Sequence, residues 1–390
     1  VQQHSGRATR SEDLSSSRSS NHYNNISNRP ITMTAFCTLF ADVSNGEVPV
    51  VISDVLVTSS GLPRRAARYE KTYIPTIGGV YPHISADSAI SGLIQKLSLL
   101  PGGHCLAVAG DLSPILEFHA KLVGCSHDFE EISVVCEEFS SRISFVLLVK
   151  DSEDDRLITM ASESCRRLRN DKYGLALVGG SGESTLRRLM LEQKDAPIQG
   201  TESLSDVSKA FFLVSEALDL DSRDPSQTIK KSFGGYYEIS TYDGSQFCKI
   251  DCVAYHFLRL GKLGDEDCWV LHKSFYHEYV SDDLIVRRIV WAHDEGGGTV
   301  WQDCYAIGDF HRYANMERAK VHIDETVPTT KWEVLCFEVG ASKFRAVSAG
   351  RNLISLRKSE GHWFHDIDSA LMGQYAKAMA PLFLAQPEGQ

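Results

Sequence analysis

Apolar residues recur along this chain with two different periods. From Thr34 to Ala41 and from Pro49 to Ser53 they run almost without interruption, as in strands buried on both faces. Asn45-Gly46 between them tolerates the positive φ of a tight hairpin. A second pair, Ile94–Leu100 and His104–Ala109, flanks the turn residues Pro101-Gly102-Gly103. The period then lengthens to three and four residues. Leu112–Val123 and Phe129–Phe139 read as amphipathic helices meeting near Gly124. Strands return at Ile143–Val149 and Arg156–Met160, either side of the acidic turn Asp151–Asp155, and again at Tyr173–Val178 before the run Gly179–Gly182. Two more helices are predicted over Glu183–Glu192 and Leu204–Leu220, then a hairpin, Tyr236–Thr241 and Gln246–Cys252, around Asp243-Gly244.

The resulting order is ββββ, αα, βββ, αα, ββ. Consecutive strands that pair, with helices inserted two at a time, predict an α+β fold of two facing sheets covered on the outside by helices. Residues 1–33 are rich in Ser, Asn and Arg and have little to bury, so they are expected to be disordered, as a propeptide or a non-native leader. From about residue 256 the character changes. All five Trp lie here, among short β-type runs such as Asp283–Trp291 and Trp332–Val339. This β-rich extension, residues 256–390, is expected to end in a helix over Asp368–Leu384.

Composition narrows the class without naming a function. A net charge of −11 on 390 residues argues against a nucleic-acid or anionic-membrane protein, either of which needs a basic surface. No apolar run approaches the length of a membrane span. The ten cysteines are scattered through apolar runs with no CxxC pair, which predicts reduced, buried thiols and a cytoplasmic protein. Gly179–Thr185 lacks the lysine of a phosphate-binding loop, and Glu183 stands where a nucleophile elbow needs its last glycine. His362 and His365 beside Asp366 and Asp368 are explained more simply by a helix start than by a metal site.

Candidate chemistry sits at the first hairpin. Met33-Thr34 opens its first strand, and Asp54 in Ser-Asp-Val-Leu-Val-Thr closes its second. Lys96 follows at the start of a later strand, whose hairpin leads to Ala109-Gly110, and Gly180-Ser181-Gly182 precedes the third helix. This order and spacing resemble the proteasome-type branch of the N-terminal-nucleophile (Ntn) hydrolases, which includes proteasome β-subunits and their simpler bacterial relatives. The resemblance spans roughly Thr34 to Cys252. It implies a four-layer αββα Ntn sandwich over residues 34–255, with the β-rich C-terminal region appended. It also implies a catalytic set of Thr34, Asp54, Lys96, Gly110 and Ser181, needing neither cofactor nor metal. The sequence departs from the family pattern in three places. Leu56 replaces an arginine, residues 64–88 lengthen the segment before Lys96, and no Asp stands at the expected place before Ser232-Phe233-Gly234-Gly235, so that either Asp221 or Asp224 substitutes or the role is absent.

The residue types suit acyl transfer. A threonine hydroxyl is a poor nucleophile unless a base takes its proton. An α-amine titrating at about 7.7–8.0 can be that base, provided Thr34 begins the chain. Lys96 would favour the deprotonated forms of both groups, Asp54 would hold Lys96, and the Gly110 amide would meet the oxyanion. One expectation is therefore a threonine peptidase acting on peptide or protein substrates, a homo-oligomer of the ring-forming kind by resemblance. The other is a non-catalytic, proteasome-like scaffold that binds partners through its C-terminal region.

Overall fold

The computed structural model describes residues 31–373, except 34, 43–46, 61–71, 82–87, 126–127, 152–155, 193–204, 264–265, 292–298, 340–341, 351, 360–361, 369 and 371–372. Of the disorder anticipated over 1–33, residues 1–30 lie outside the described residues, as do the Asn45-Gly46 turn, most of the acidic turn at 151–155 and most of the helix expected over 368–384, whereas residues 31–33 form a paired strand.

The chain begins with β1 (Ile31–Met33), β2 (Phe36–Leu39), β3 (Val50–Asp54) and β4 (Leu56–Ser60). Next come β5 (Tyr73–Ile74), β6 (Gly79–Val80), β7 (Ser88–Leu93), β8 (Leu97–Leu100) and β9 (His104–Ala109). Helices α1 (Leu112–Gly124) and α2 (Phe129–Phe139) lead to β10 (Ser144–Lys150), β11 (Leu157–Ala161), β12 (Arg166–Asn170) and β13 (Gly174–Gly179). After α3 (Glu183–Glu192) and α4 (Asp206–Arg223) follow β14 (Tyr237–Tyr242) and β15 (Phe247–Lys249). The C-terminal part holds β16 (Val253–Leu263), β17 (Glu266–Val280), β18 (Asp283–Trp291) and β19 (Thr299–Ile307). It continues with α5 (Met316–Glu325), β20 (Trp332–Val339), β21 (Ser342–Ala349), β22 (Ile354–Ser359) and β23 (His362–Ile367).

Three sheets organise the interior. A four-stranded sheet runs β11-β10-β9-β8, and a six-stranded one runs β12-β13-β2-β3-β14-β15. They face each other through Cys105, Ala107, Val146 and Leu148 on the first and Phe36, Val51 and Leu177 on the second. On the other face of the four-stranded sheet lie α1 and α2, whose buried positions Ile115, Phe118, Leu122, Ile132, Cys136 and Phe139 recur at helical spacing. Asp128 caps α2 by accepting from the Glu130 amide at 2.8 Å, with Glu130 and Glu131 in the first turn where the helix dipole favours acids. The third sheet, β19-β18-β17-β16-β20-β21, is antiparallel except where β16 and β20 run parallel.

That third sheet corrects the predicted architecture. The chain is not a four-layer αββα sandwich with its helices outermost and a β-rich region appended. Strand dominates, with 23 strands in six sheets against five α-helices among the described residues. Moreover α4 is an interior helix. Ala210, Phe211, Leu213, Val214, Ala217 and Leu218 share one core with Cys37 and Ile52 of the β2–β3 sheet and with Tyr255, Phe275 and Val334 of the C-terminal sheet. The Phe211 ring meets Tyr255 at 6.3 Å and Trp332 at 5.4 Å between centroids. Each Phe, Leu or Val side chain among these contributes about 1.5–3 kcal/mol on leaving water, so this second interface is a strong one. A helix covered on both sides cannot be an outer layer.

Candidate functional site

Asp54 is the hub of a buried polar cluster. It ends β3 and has no exposed surface. Its Oδ1 accepts from the Ala35 amide at 3.1 Å and from Lys96 Nζ at 2.7 Å, while Oδ2 accepts from the Gly234 amide at 2.7 Å. Three segments distant in sequence are thereby tied to one carboxylate. Pairing of β2 with β3 sets this up, because Phe36 opposite Ser53 puts the chain just before β2 beside the end of β3.

Lys96 lies between β7 and β8, also fully buried. Besides Asp54, its Nζ donates to the Leu56 carbonyl at 2.5 Å, and its amide donates to Glu238 Oε2 at 3.0 Å. Burial pulls the lysine below its ordinary range, against the opposing pull of Asp54 and Glu238. The contact to Leu56 runs through the main chain, so the leucine at that position, where the resembled family carries arginine, leaves it intact.

A second carboxylate stands nearby. Asp221, on the last turn of α4, accepts from the Gly235 amide at 2.9 Å and from the Tyr237 hydroxyl at 3.3 Å. Thr228 and Thr76 approach the same carboxyl, yet neither hydroxyl reaches hydrogen-bond geometry. Burial raises Asp221 to about 7, and the charge of Asp54 adds to the effect. The turn between the two acids depends on glycine. Gly234 has φ +105°, and a Cβ there would lie 2.6 Å from the Asp221 carboxylate. Asp224, the other acid considered from sequence, caps a neighbouring turn by accepting from Ser226 N at 3.2 Å and Gln227 Nε2 at 2.6 Å. Of the two, Asp221 belongs to the cluster.

The other expected residues lie as follows. Thr34 is outside the described residues. Its neighbour Ala35 is held against the loop before α3, where a Cβ on Gly182 would come within 2.6 Å of the Ala35 Cβ. Ser181 in that loop donates to the Ser232 carbonyl at 3.4 Å. Gly110 follows β9 with φ +138° and lines an open cleft of about 560 Å³ together with Gly180, Ser144 and Glu163. The structure therefore gathers Ala35, Asp54, Lys96, Ser181 and Asp221 around the start of β2, and joins Gly110 to Gly180 across one cleft.

Sequence reasoning missed Glu238, which accepts from the Lys96 amide, from Lys249 Nζ at 2.7 Å and from the Tyr279 hydroxyl at 3.1 Å. It also missed Gln95, whose Nε2 donates to the Asp282 carbonyl at 2.8 Å and the Ile307 carbonyl at 2.6 Å. An acid between Tyr237 and Ile239 in a predicted strand was the available signal for Glu238; Gln95 carried none. Through Gln95 the C-terminal sheet grips the residue next to Lys96. Among the described residues no group of three or more His, Cys, Asp and Glu is arranged to hold a metal, and no helix is long and apolar enough to cross a membrane.

Chemically, the cluster can hold a charged lysine beside the chain that leads into β2, with a carboxylate orienting it. Such a pair can stabilise an adjacent deprotonated nucleophile. No family model matches the chain, and no curated protein matches it either.

Proposed function

We propose that the chain is a threonine-type amide hydrolase of the N-terminal-nucleophile kind, acting on peptides or proteins. The observation that carries this reading is the fully buried Lys96–Asp54 pair, hydrogen-bonded to the amide of the residue that follows Thr34. In the reaction, the free α-amine of Thr34 takes the proton from its own hydroxyl as Oγ attacks the substrate carbonyl. The tetrahedral oxyanion is met by the Gly110 amide. The C–N bond then breaks, the leaving amine carries away that proton, and Thr34 is left as an ester. Water attacks this acyl-enzyme, gives its proton to the α-amine, and the returning Oγ recovers it. Lys96 favours the deprotonated form of the nucleophile by its charge, and Asp54 positions Lys96. Asp221 holds the Gly234-Gly235 turn that donates to Asp54.

The chemistry requires cleavage of the Met33–Thr34 bond, which is intact in the chain as given. Active protein should therefore begin at Thr34 by intact mass, and an electrophilic probe of catalytic threonine should add to that residue once per chain. Thr34→Ala should abolish labelling without lowering stability. Turnover by protein that retains residues 1–33 would overturn the mechanism.

A second reading, a non-catalytic scaffold, has one observation in its favour. The strand immediately before Thr34 is paired, Thr32 opposite Thr58 and Met33 opposite Val57, so that residues 31–33 are ordered against β4. A stable assembly with this leader retained and no labelling would select it. In either case we place the protein in a reducing, cytoplasmic compartment, on its ten unpaired thiols, and expect a homo-oligomer by resemblance.

A further inference from the structure

A second concentration of charge lies where the end of α4 meets the C-terminal sheet, away from the Asp54 cluster. A cavity of about 100 Å³ opens there. Its floor is built by strand register. Phe257, Cys336 and Arg345 align across β16, β20 and β21, and Arg259, Glu338 and Lys343 align in the next such row. In β17 the pairing slips, with Lys273 opposite Phe257 but Leu271 opposite Leu258, which leaves His272 as an extra residue. This bulge breaks the alternation of the strand, so that His272 and Lys273 both line the same cavity.

The lining carries more positive than negative charge. Arg223 and Lys343 both pair with Asp219, the first at 2.9 Å. Arg259 pairs with Glu338 at 2.8 Å, and Arg345 pairs with Glu216 at 2.7 Å. Five cations thus face three carboxylates, and Lys273 is left over. It is 7 % exposed, and among the described residues its Nζ has neither a hydrogen bond nor an ion pair, only the rings of Phe257 at 4.7 Å and Phe275 at 5.5 Å. An ammonium taken out of water without an anionic partner is a standing cost to the fold. Burial accordingly draws Lys273 down to about 8, helped by the nearby charges of Arg288 and Arg259 and opposed by Asp219. Arg223 in the last turn of α4 offsets the negative end of the helix dipole at the cavity mouth.

We propose that this cavity binds a phosphate-type oxyanion, with Lys273 as its buried contact and Arg223 at its exposed edge. The excess of two positive charges matches a dianion, and the volume suits one tetrahedral group rather than a nucleotide. The anion comes either as free inorganic phosphate or as the head of a phosphomonoester. The proposal is independent of the hydrolase reading, because it uses none of the residues around Asp54.

Equilibrium dialysis of the full chain with radiolabelled inorganic phosphate, at fixed ionic strength in sodium chloride, tests it. Glycerol phosphate as competitor distinguishes the two sources. If it displaces phosphate with higher affinity, the site takes a monoester; if it fails to compete, the site takes the free ion. The expected result is one saturable site per chain, weakened at least about tenfold in both Lys273→Met and Arg223→Gln. In phosphate-free buffer Lys273→Met should melt no lower than the parent chain, since it removes an unpaired buried charge. Melting temperature should rise with phosphate in the parent and not in this variant. Absence of saturable binding, or affinity unchanged in the two variants, overturns the proposal. Should Lys273→Met fail to fold, Arg223→Gln decides alone, because its side chain is half exposed and its loss leaves the core intact.

Discussion

Replacing Lys96 by Met strips Asp54 of its lysine in a place where water cannot take over. Both side chains are fully buried, so the interaction needs no discount for solvent screening. Removing one partner of such a pair costs about 3–5 kcal/mol, chiefly through the uncompensated charge left behind. The Ala35 and Gly234 amides continue to donate to the carboxylate, which puts Lys96→Met near the lower end, about 3 kcal/mol. Asp54→Asn should cost a similar amount, since it orphans the lysine and weakens two amide bonds. In the double variant neither charge remains, so its loss should fall short of the sum of the singles by about 2 kcal/mol. Urea unfolding supplies the numbers, followed by far-ultraviolet circular dichroism as well as tryptophan fluorescence. Both probes are needed because all five Trp lie beyond residue 256, far in sequence from Lys96. Coincident transitions license the subtraction. A Lys96→Met variant within about 0.5 kcal/mol of the parent, or strictly additive losses, would refute the claim that a charged pair is buried here.

Two further outcomes follow from the same cluster. Asp221 titrates at about 7 in the folded chain against about 3.9 unfolded, so the fold binds its proton more tightly. Its contribution is full below about pH 4 and is lost as pH rises to about 7, a few kcal/mol at most. Asp221→Asn should flatten that part of the stability profile between pH 4 and 7, measured by urea unfolding at stepped pH; an unchanged slope would mean that another group is responsible. Gln95→Ala should destabilise by about 3 kcal/mol, because it leaves the Asp282 and Ile307 carbonyls without their donor and Lys249 without the Gln95 Oε1 acceptor at 2.6 Å. A loss below about 1 kcal/mol would show that the C-terminal sheet does not brace Lys96 through this side chain.

Local elements were largely legible from side-chain pattern. Phe129–Phe139 and Glu183–Glu192 are helices with the expected bounds, and His104–Ala109 is a strand, because each carries an unbroken period or a clear stop. Arg166–Asn170 went unread as a strand. Its five residues hold one apolar side chain and, among the described residues, pair on one side only, with β13, so neither a hydrophobic run nor alternation marks it. β1 and β4 were missed for a related reason, being short segments whose pairing is fixed by neighbours far along the chain. For α4 the opposite happened. Phe211, Phe212, Leu213 and Val214 in succession leave no polar face in the middle of the helix, and that was the available sign that it is covered on two sides.

The family resemblance nominated Thr34, Asp54, Lys96, Gly110 and Ser181 as candidates, and left Asp221 and Asp224 as equal alternatives. Spacing along a chain carries turn chemistry and periodicity, since both are local. It carries no account of which buried donor meets which acceptor once sheets stack. Tertiary structure alone placed the Gly234 amide on Asp54, set Asp221 rather than Asp224 in the cluster, and drew Gln95 and Glu238 around Lys96. It also turned the C-terminal strands from an expected appendage into the cover of α4. Those outcomes depend on desolvation, and desolvation is a property of the packed interior rather than of any segment that enters it.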